Sequence, residues 1–390
     1  MDARDFFGYK HADEEPGKRP EDEDADESER PPLPEEAITL DDPAALARID
    51  ISDMLGQVRA LPRQLVQGHR VGAATALEPR YREVDAVLVV AMGGSAIGGD
   101  LVAGIAGPRL RVPLVVHRDY GLPAWANERT LVVAASHSGE TVETLGAARA
   151  ARERGLPLVV ISTGGELGRQ ATKDGTPFLR YQSGGQPRAA IGFGVGILHE
   201  LLVSAGLIAD PDPIGPAVET LDALLERNAP GVETDANPAK QLAWSMFGRI
   251  PVVYGAGPMS PVARRWKTQL NENTKSWATF ESMPEANHNT IEGSLNPREL
   301  SDALYIVQVR DPSEPPEIAQ RYQVVEELLG ERATNRSVVW GEGPSPLARA
   351  LSAMAFGDLV SVYLAILYQI DPTPVTLLTM LKERLARAMD

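Results

Sequence analysis

Apolar residues in this chain gather into short runs separated by stretches of helical spacing. VDAVLVVAM (84–92), VPLVVHRD (112–119), TLVVAAS (130–136) and PLVVIST (157–163) each have a continuously apolar, β-branched centre. Such runs suit the interior strands of a parallel sheet, which is covered on both faces and needs no polar alternation. ETVETLGAARAARERG (140–155) and VGILHELLVSAG (195–206) read as the helices between and after them. Ahead of the first strand, residues 43–68 carry apolar positions at helical spacing, and Gly68 is a plausible stop. The series then restarts. IPVVYGAG (250–257), ALYIVQVRD (303–311) and SVVWGEG (337–343) predict strands, with helices over 261–273 and 315–330. This alternation predicts a doubly wound α/β architecture. The recurrence of VLVVAMGGS as VVYGAGPMS predicts an internal duplication of one fold unit.

At 390 residues the chain is long for one core, so two domains are expected. The predicted organisation is a tail over 1–40, an N-terminal domain over 41–210, a proline-rich boundary over 211–240 and a C-terminal domain over 241–390. The last segment, DPTPVTLLTMLKERLARAMD, predicts a proline-introduced helix with Leu377, Leu381 and Leu385 on one face.

Charge sharpens the reading of the tail. Of the net charge of −16, residues 1–40 carry −9, from 14 acidic and 5 basic residues. PGKRPEDEDADESERPPLPEE has no apolar periodicity and reads as a disordered acidic segment. No basic footprint for nucleic acid exists. No uninterrupted apolar run reaches the roughly 18 residues of a membrane span, and the N-terminus does not resemble a signal peptide. The chain has no cysteine, which excludes thiol chemistry and fits a cytoplasmic protein.

Two glycine- and hydroxyl-rich loops follow predicted strands. MGGSAIGGD (92–100) offers Gly94 and Ser95 where a helix N-terminus would attract an anion. A dinucleotide site would want G-x-G-x-x-G, and Ser95 stands where its second glycine belongs; Asp119, at a later strand end, is what keeps that alternative open. Asp100 would cap the helix or position the loop. The second loop, SHSGET, presents Ser136, Ser138 and Thr141, a candidate phosphate cradle without any lysine. Its competing reading is a helix start capped by Ser138, with Glu140 and Glu143 in the first turns. It lacks the glycine that a G-x-S-x-G nucleophile elbow requires.

Together, SHSGET and GGSAIGGD resemble the sugar isomerase (SIS) fold of phosphosugar-binding domains. LNENTKSWATFESMPEANHNTIEGS (270–294) resembles the motif of the bifunctional phosphoglucose/phosphomannose isomerases, and the resemblance spans about residues 45–390. It implies two SIS domains and an aldose–ketose isomerase acting through a cis-enediol. By that resemblance the carboxylate base falls on Glu272, the ring-opening histidine on His288, an assisting lysine on Lys382 and an enediolate-stabilising arginine on Arg188. Ser95, Ser136, Ser138 and Thr141, with Gly94, become the phosphate site. It also implies a homodimer in which the partner subunit contributes the histidine. Glu281, Glu285 and Glu292 are rival bases inside the motif.

Three features depart from the family pattern: the acidic tail, Ser294 after Glu292-Gly293, and an expanded segment over 295–350. Thr373 and Thr376 neighbour the terminal helix, and neither can be matched to the family's mannose-tolerant threonine. The histidines stand at 11, 69, 117, 137, 199 and 288, without HxH or HExxH spacing, so no metal and no cofactor are expected. The alternative function is a non-catalytic phosphosugar-binding or regulatory protein on the same fold. An amidotransferase-type enzyme is disfavoured because no N-terminal cysteine nucleophile exists.

Overall fold

The apolar runs become two parallel sheets in the computed structural model, which describes residues 39–294, 296–297, 303–329 and 335–389. The acidic tail expected over 1–40 lies almost entirely outside the described residues, as does part of the segment expected to be expanded. The residues from Ile38 onward form one unit.

The first half opens with three helical pieces, α1 (Pro43–Ile49), α2 (Met54–Arg59) and α3 (Leu61–Ala73). It continues through β1 (Ala86–Ala91), α4 (Gly93–Ala106), β2 (Leu114–His117), β3 (Thr130–Ser136), α5 (Val142–Glu153), β4 (Leu158–Ser162), α6 (Gly165–Asp174), β5 (Phe178–Arg180) and α7 (Ile191–Ser204). Its strands lie in the order β2-β1-β3-β4-β5, all parallel. β1, β3 and β4 are buried at every position, as their unbroken β-branched runs require.

Gly68 is not a helix stop. α3 runs on to Ala73, and Gly68 is instead where α7 crosses closely, since a Cβ there would lie 2.5 Å from the Phe193 carbonyl oxygen. The expected helix over 43–68 is interrupted where Asp53 adopts φ 52° as the α2 N-cap.

Next come α8 (Ile214–Arg227) and α9 (Pro238–Met246), then β6 (Ile250–Ala256), α10 (Met259–Thr274), β7 (Thr279–Met283), α11 (Thr290–Gly293), β8 (Leu304–Arg310), α12 (Pro316–Leu329), β9 (Arg336–Trp340), α13 (Pro346–Leu367) and α14 (Thr376–Met389). The second sheet, β7-β6-β8-β9, is also parallel and repeats the order of the first without its fifth strand. The duplication expected from the two strand-then-glycine turns is thus a repeated topology.

α13 is long and apolar enough to cross a membrane, yet it is buried among the other helices. It packs on α8, α9 and α10. At the α10 crossing Gly357 lies flat under Trp266, whose Nε1–H donates to the Ala353 carbonyl at 2.9 Å. A polar seam also crosses this contact: Asp358 binds Arg265 at 2.8 Å, and the Asn273 amide donates to Ser361 Oγ at 2.9 Å. α14 is the opposite case. Among the described residues it packs closely on no other element, and Leu377, Leu381 and Leu385 on its apolar face are 81%, 52% and 53% exposed.

Candidate functional site

Strand order reverses between β1 and β3, and a doubly wound sheet opens a crevice at the carboxyl ends of such a pair. Both glycine- and hydroxyl-rich loops leave the sheet there, since Ala91 and Ala135 are register partners one step before them. After β3, Ser136 Oγ lies 2.9 Å from Thr141 Oγ1 and accepts the Gly139 N–H at 3.1 Å. Ser138 Oγ accepts the Glu140 N–H at 3.2 Å and is exposed, whereas Ser136 is buried. The loop after β4 braces this turn. Thr163 Oγ1 donates to the His137 carbonyl at 2.8 Å, and Glu140 Oε1 accepts the Glu166 N–H at 2.8 Å. Gly139, at φ 72°, passes so near the Gly164 carbonyl that a Cβ would meet it at 2.1 Å.

The N-cap of α5 is Thr141, not Ser138, and its side chain makes no capping bond because it faces Ser136. The first helical amides therefore have no side-chain cap, and the capped-start reading of Ser138 is corrected. Across the crevice Ser95 is half-buried in the first turn of α4, whose N-terminus also lacks a side-chain cap. Gly94 lies against the Arg188 backbone: a Cβ there would be 3.6 Å from Arg188 Cα.

Arg188 gathers the second cluster. It sits in the 3₁₀ turn Pro187–Ala189 ahead of α7, and only 4% of its side chain is exposed. Nε donates to Asn273 Oδ1 at 2.7 Å, and Nη2 donates to the Pro372 and Thr373 carbonyls at 2.8 and 2.9 Å. Nη1 faces Gln186 Oε1 at 3.4 Å and Glu272 Oε2 at 3.7 Å. Burial pulls the guanidinium below its ordinary range, while the Glu272 charge pulls it back up. The Arg188 carbonyl accepts from Arg265 Nη2 at 2.6 Å, which ties the cluster to the Arg265–Asp358 pair. Burial pushes the Asp358 carboxyl up, and Arg265 opposes the shift.

Lys275 belongs to the same cluster, although nothing in the motif singled it out. Its ammonium donates to the Glu272 carbonyl at 2.5 Å, the Asn273 carbonyl at 3.3 Å and the Pro372 carbonyl at 2.9 Å. Partial burial and the Arg188 charge push it down to about 8.

Other candidates stand apart from this cluster. His288 ends the 3₁₀ turn Glu285–His288 beyond β7, and Lys382 lies on α14; both are exposed. Among the described residues, neither makes a hydrogen bond or ion pair with Arg188 or Glu272. Glu281 accepts from Thr290 Oγ1 at 2.9 Å and Glu285 from Asn289 Nδ2 at 3.3 Å. Of the four carboxylates in the motif, Glu272 alone faces the buried arginine. Asp100 is ion-paired with Arg118 and Arg264, and Asp119 accepts the N–H of Tyr120. Thr373 is buried with its Oγ1 unpartnered, and Thr376 is exposed. Among the described residues, no three His, Asp or Glu side chains gather as a metal site would need.

Comparison with known proteins adds four findings. Residues 235–385 match the model of the bacterial phospho-glucose isomerase C-terminal SIS domain. A bifunctional phosphoglucose/phosphomannose isomerase from Caldicellulosiruptor bescii is 38% identical over 339 residues, covering 86% of this chain and 100% of that protein. One of the same name from Aquifex aeolicus is 33% identical, covering 77% and 90%. Among solved structures, a hypothetical protein from Thermus thermophilus superposes with a TM-score of 0.68 at 17% identity, over 88% of this chain and 94% of that one, a likeness of fold.

The buried pair generates a stability prediction. Asp358→Asn leaves Arg265 charged and uncompensated in the core, so urea unfolding should report a loss of roughly 3–5 kcal/mol. Replacing both partners, as Arg265→Met with Asp358→Leu, should recover much of that loss. A single variant as stable as the parent would show that the pair does not hold α10 to α13.

Proposed function

The chain belongs to the bifunctional phosphoglucose/phosphomannose isomerase family, and we propose that it interconverts glucose 6-phosphate and mannose 6-phosphate with fructose 6-phosphate without a metal ion. The observation that carries this reading is the facing of Glu272 and the buried Arg188 across 3.7 Å, beside the uncapped start of α4, whose Gly94 lies against the Arg188 backbone. Isomerisation removes the C2 proton of an open-chain aldose phosphate and returns a proton to C1. Glu272 is the base: its carboxylate takes the C2 proton as the C2–H electron pair forms the C1=C2 bond and the C1=O π pair moves onto O1, giving the enediolate. The same carboxyl then protonates C1 as the O2 hydroxyl proton passes to O1 and the C2=O bond forms. Charge builds on the oxygens during the first step, and a guanidinium fixed in place beforehand stabilises it at little reorganisation cost. Three of the arginine's bonds go to Asn273, Pro372 and Thr373, so Nη1, which makes only the long 3.4 Å bond to Gln186 and faces Glu272, is the nitrogen that meets substrate.

Ser136, Ser138 and Thr141 take the phosphate with the free amides of α5, and Ser95 approaches from the other side of the crevice. Ring opening falls to His288 and Lys382. Both lie outside the Arg188 cluster of their own chain, and the uncovered leucines of α14 need a partner. A homodimer answers both, with His288 supplied by the second copy. Sugar phosphates are charged intracellular metabolites, so the reaction belongs in the cytoplasm.

Glu272→Gln keeps shape and loses basicity, so turnover of both aldose phosphates should fall by on the order of 10²–10⁴-fold. In heavy water the parent should place deuterium at C2 of the sugar phosphate, read by NMR, with EDTA making no difference. A parent that binds sugar phosphate but never exchanges C2 is a binding protein and not an isomerase. Exchange abolished by EDTA would refute the metal-free route.

For the cradle, Ser138→Ala should chiefly raise KM, because a hydrogen bond to a charged group is worth roughly 1.5–3 kcal/mol. Changing Ser136, Ser138 and Thr141 together without any effect on KM would leave the loop a mere helix start. For the dimer, light scattering should give twice the chain mass, and Leu381→Glu should halve it. A parent that is monomeric while fully active would sink the shared-site arrangement.

A further inference from the structure

Lys275 occupies a position that usually belongs to glycine. It follows the last residue of α10 at φ 57°, ψ 20°, the left-handed conformation of a helix C-cap, and no backbone N–H of its own caps the helix. A helix leaves its final carbonyls without partners, and elsewhere a glycine-led turn supplies amides to them. Here the lysine side chain folds back and its ammonium takes the Glu272 and Asn273 carbonyls itself. Its third bond leaves the helix, going to the Pro372 carbonyl, which also accepts from Arg188 Nη2. Two cations from different parts of the chain therefore meet on one carbonyl. Asp371, one residue earlier, adds a favourable charge to both and turns the segment by accepting the Thr373 N–H at 2.9 Å. Three residues beyond Thr373, α14 begins.

We propose that Lys275 is a positioning residue: it bolts the end of the helix carrying Glu272 to the segment from which α14 and Lys382 depart. Three carbonyl acceptors require three N–H donors, which the protonated amine alone supplies. A lysine kept in a left-handed backbone against the preference of its Cβ is strain retained for a role, and the role is this bond set. The inference rests on Glu272 and Lys382 acting in one site, but its structural half does not.

Lys275→Gly separates the possibilities because glycine suits the backbone and the variant should fold at least as well. If the lysine were only a C-cap, Lys275→Gly would be neutral or stabilising with activity intact. As a clamp, its loss should lower kcat by about 10- to 100-fold, the upper figure being what a misplacement of 1 Å can cost. KM should change little, because the phosphate loop is not touched. Hydrogen exchange across 371–382 should accelerate by at least about tenfold, and Lys275→Arg, which keeps charge and donors, should restore both readings in large part. Unchanged exchange and kcat in Lys275→Gly would overturn the proposal. So would a fall in kcat with unchanged exchange and no rescue by arginine, which would make Lys275 a direct contact of the substrate. A parent without isomerase activity would refute the proposed function instead, and the exchange measurement would still judge the clamp.

Discussion

The site depends on one buried ion pair. Arg265 and Asp358 are 1% and 4% exposed, joined at 2.8 Å where α10 crosses α13. Removing two charges from water is expensive, and hydrophobic residues in their place would often hold helices as well or better. What an apolar contact could not do is direct a guanidinium nitrogen onto the Arg188 carbonyl at 2.6 Å. Through that bond the α10–α13 crossing fixes a turn from the first half of the chain. On the same face of α10, farther along the helix, Asn273 takes Arg188 Nε and Ser361 Oγ. Glu272 sits between these anchored positions and has little freedom to drift from the arginine it faces. The close approach of Trp266 over Gly357 fixes the register along the crossing, since any side chain at that glycine would drive the indole off.

Topology explains why hydroxyls from distant loops share a crevice. In a parallel sheet every strand delivers its following loop to the same edge, and reversal of strand order parts neighbouring helices to opposite faces. β1 and β3 are those neighbours, so the α4 start with Ser95 and the loop of Ser136, Ser138 and Thr141 come together although they are far apart in sequence. The second sheet repeats the order, but among the described residues no comparable hydroxyl loop follows β8; its contribution is α10, carrying Glu272. Duplication has thus left the hydroxyl-lined loops in one half and the carboxylate that faces Arg188 in the other.

Much of this was legible in the sequence, for reasons that also explain what was not. Unbroken β-branched runs identify β1, β3, β4, β6 and β8, because buried parallel strands leave that pattern. β5 has three residues and β7 reads TFESM, so neither leaves it. α13 escaped because it is buried on all sides, and an amphipathic stripe needs a solvent face to contrast with. Gly68 misled because the same residue serves as a helix stop and as a crossing point, and only the position of Phe193 tells them apart. Glu272, His288 and the serines stood out through their motifs. Lys275 did not, since a lysine after a helix is ordinarily a solvated charge. Its signal is a left-handed backbone in NTKS, which a one-dimensional reading cannot see.

Arg188 shows how a buried cation can be held largely by uncharged groups. Carboxylates on every side would have cancelled its field, whereas carbonyl and amide oxygens fix it while leaving its charge in place. The partial dipoles of Pro372, Thr373 and Asn273 offset part of the cost of burying it. Glu272 remains 30% exposed at 3.7 Å, close enough to feel the charge yet short of a tight bidentate pair. At that distance the carboxylate is not locked to the guanidinium and keeps an accessible side. Sharing the Pro372 carbonyl between Arg188 and Lys275 extends the same device to a second cation, so that backbone oxygens, more than opposing charges, set the positions of both cations.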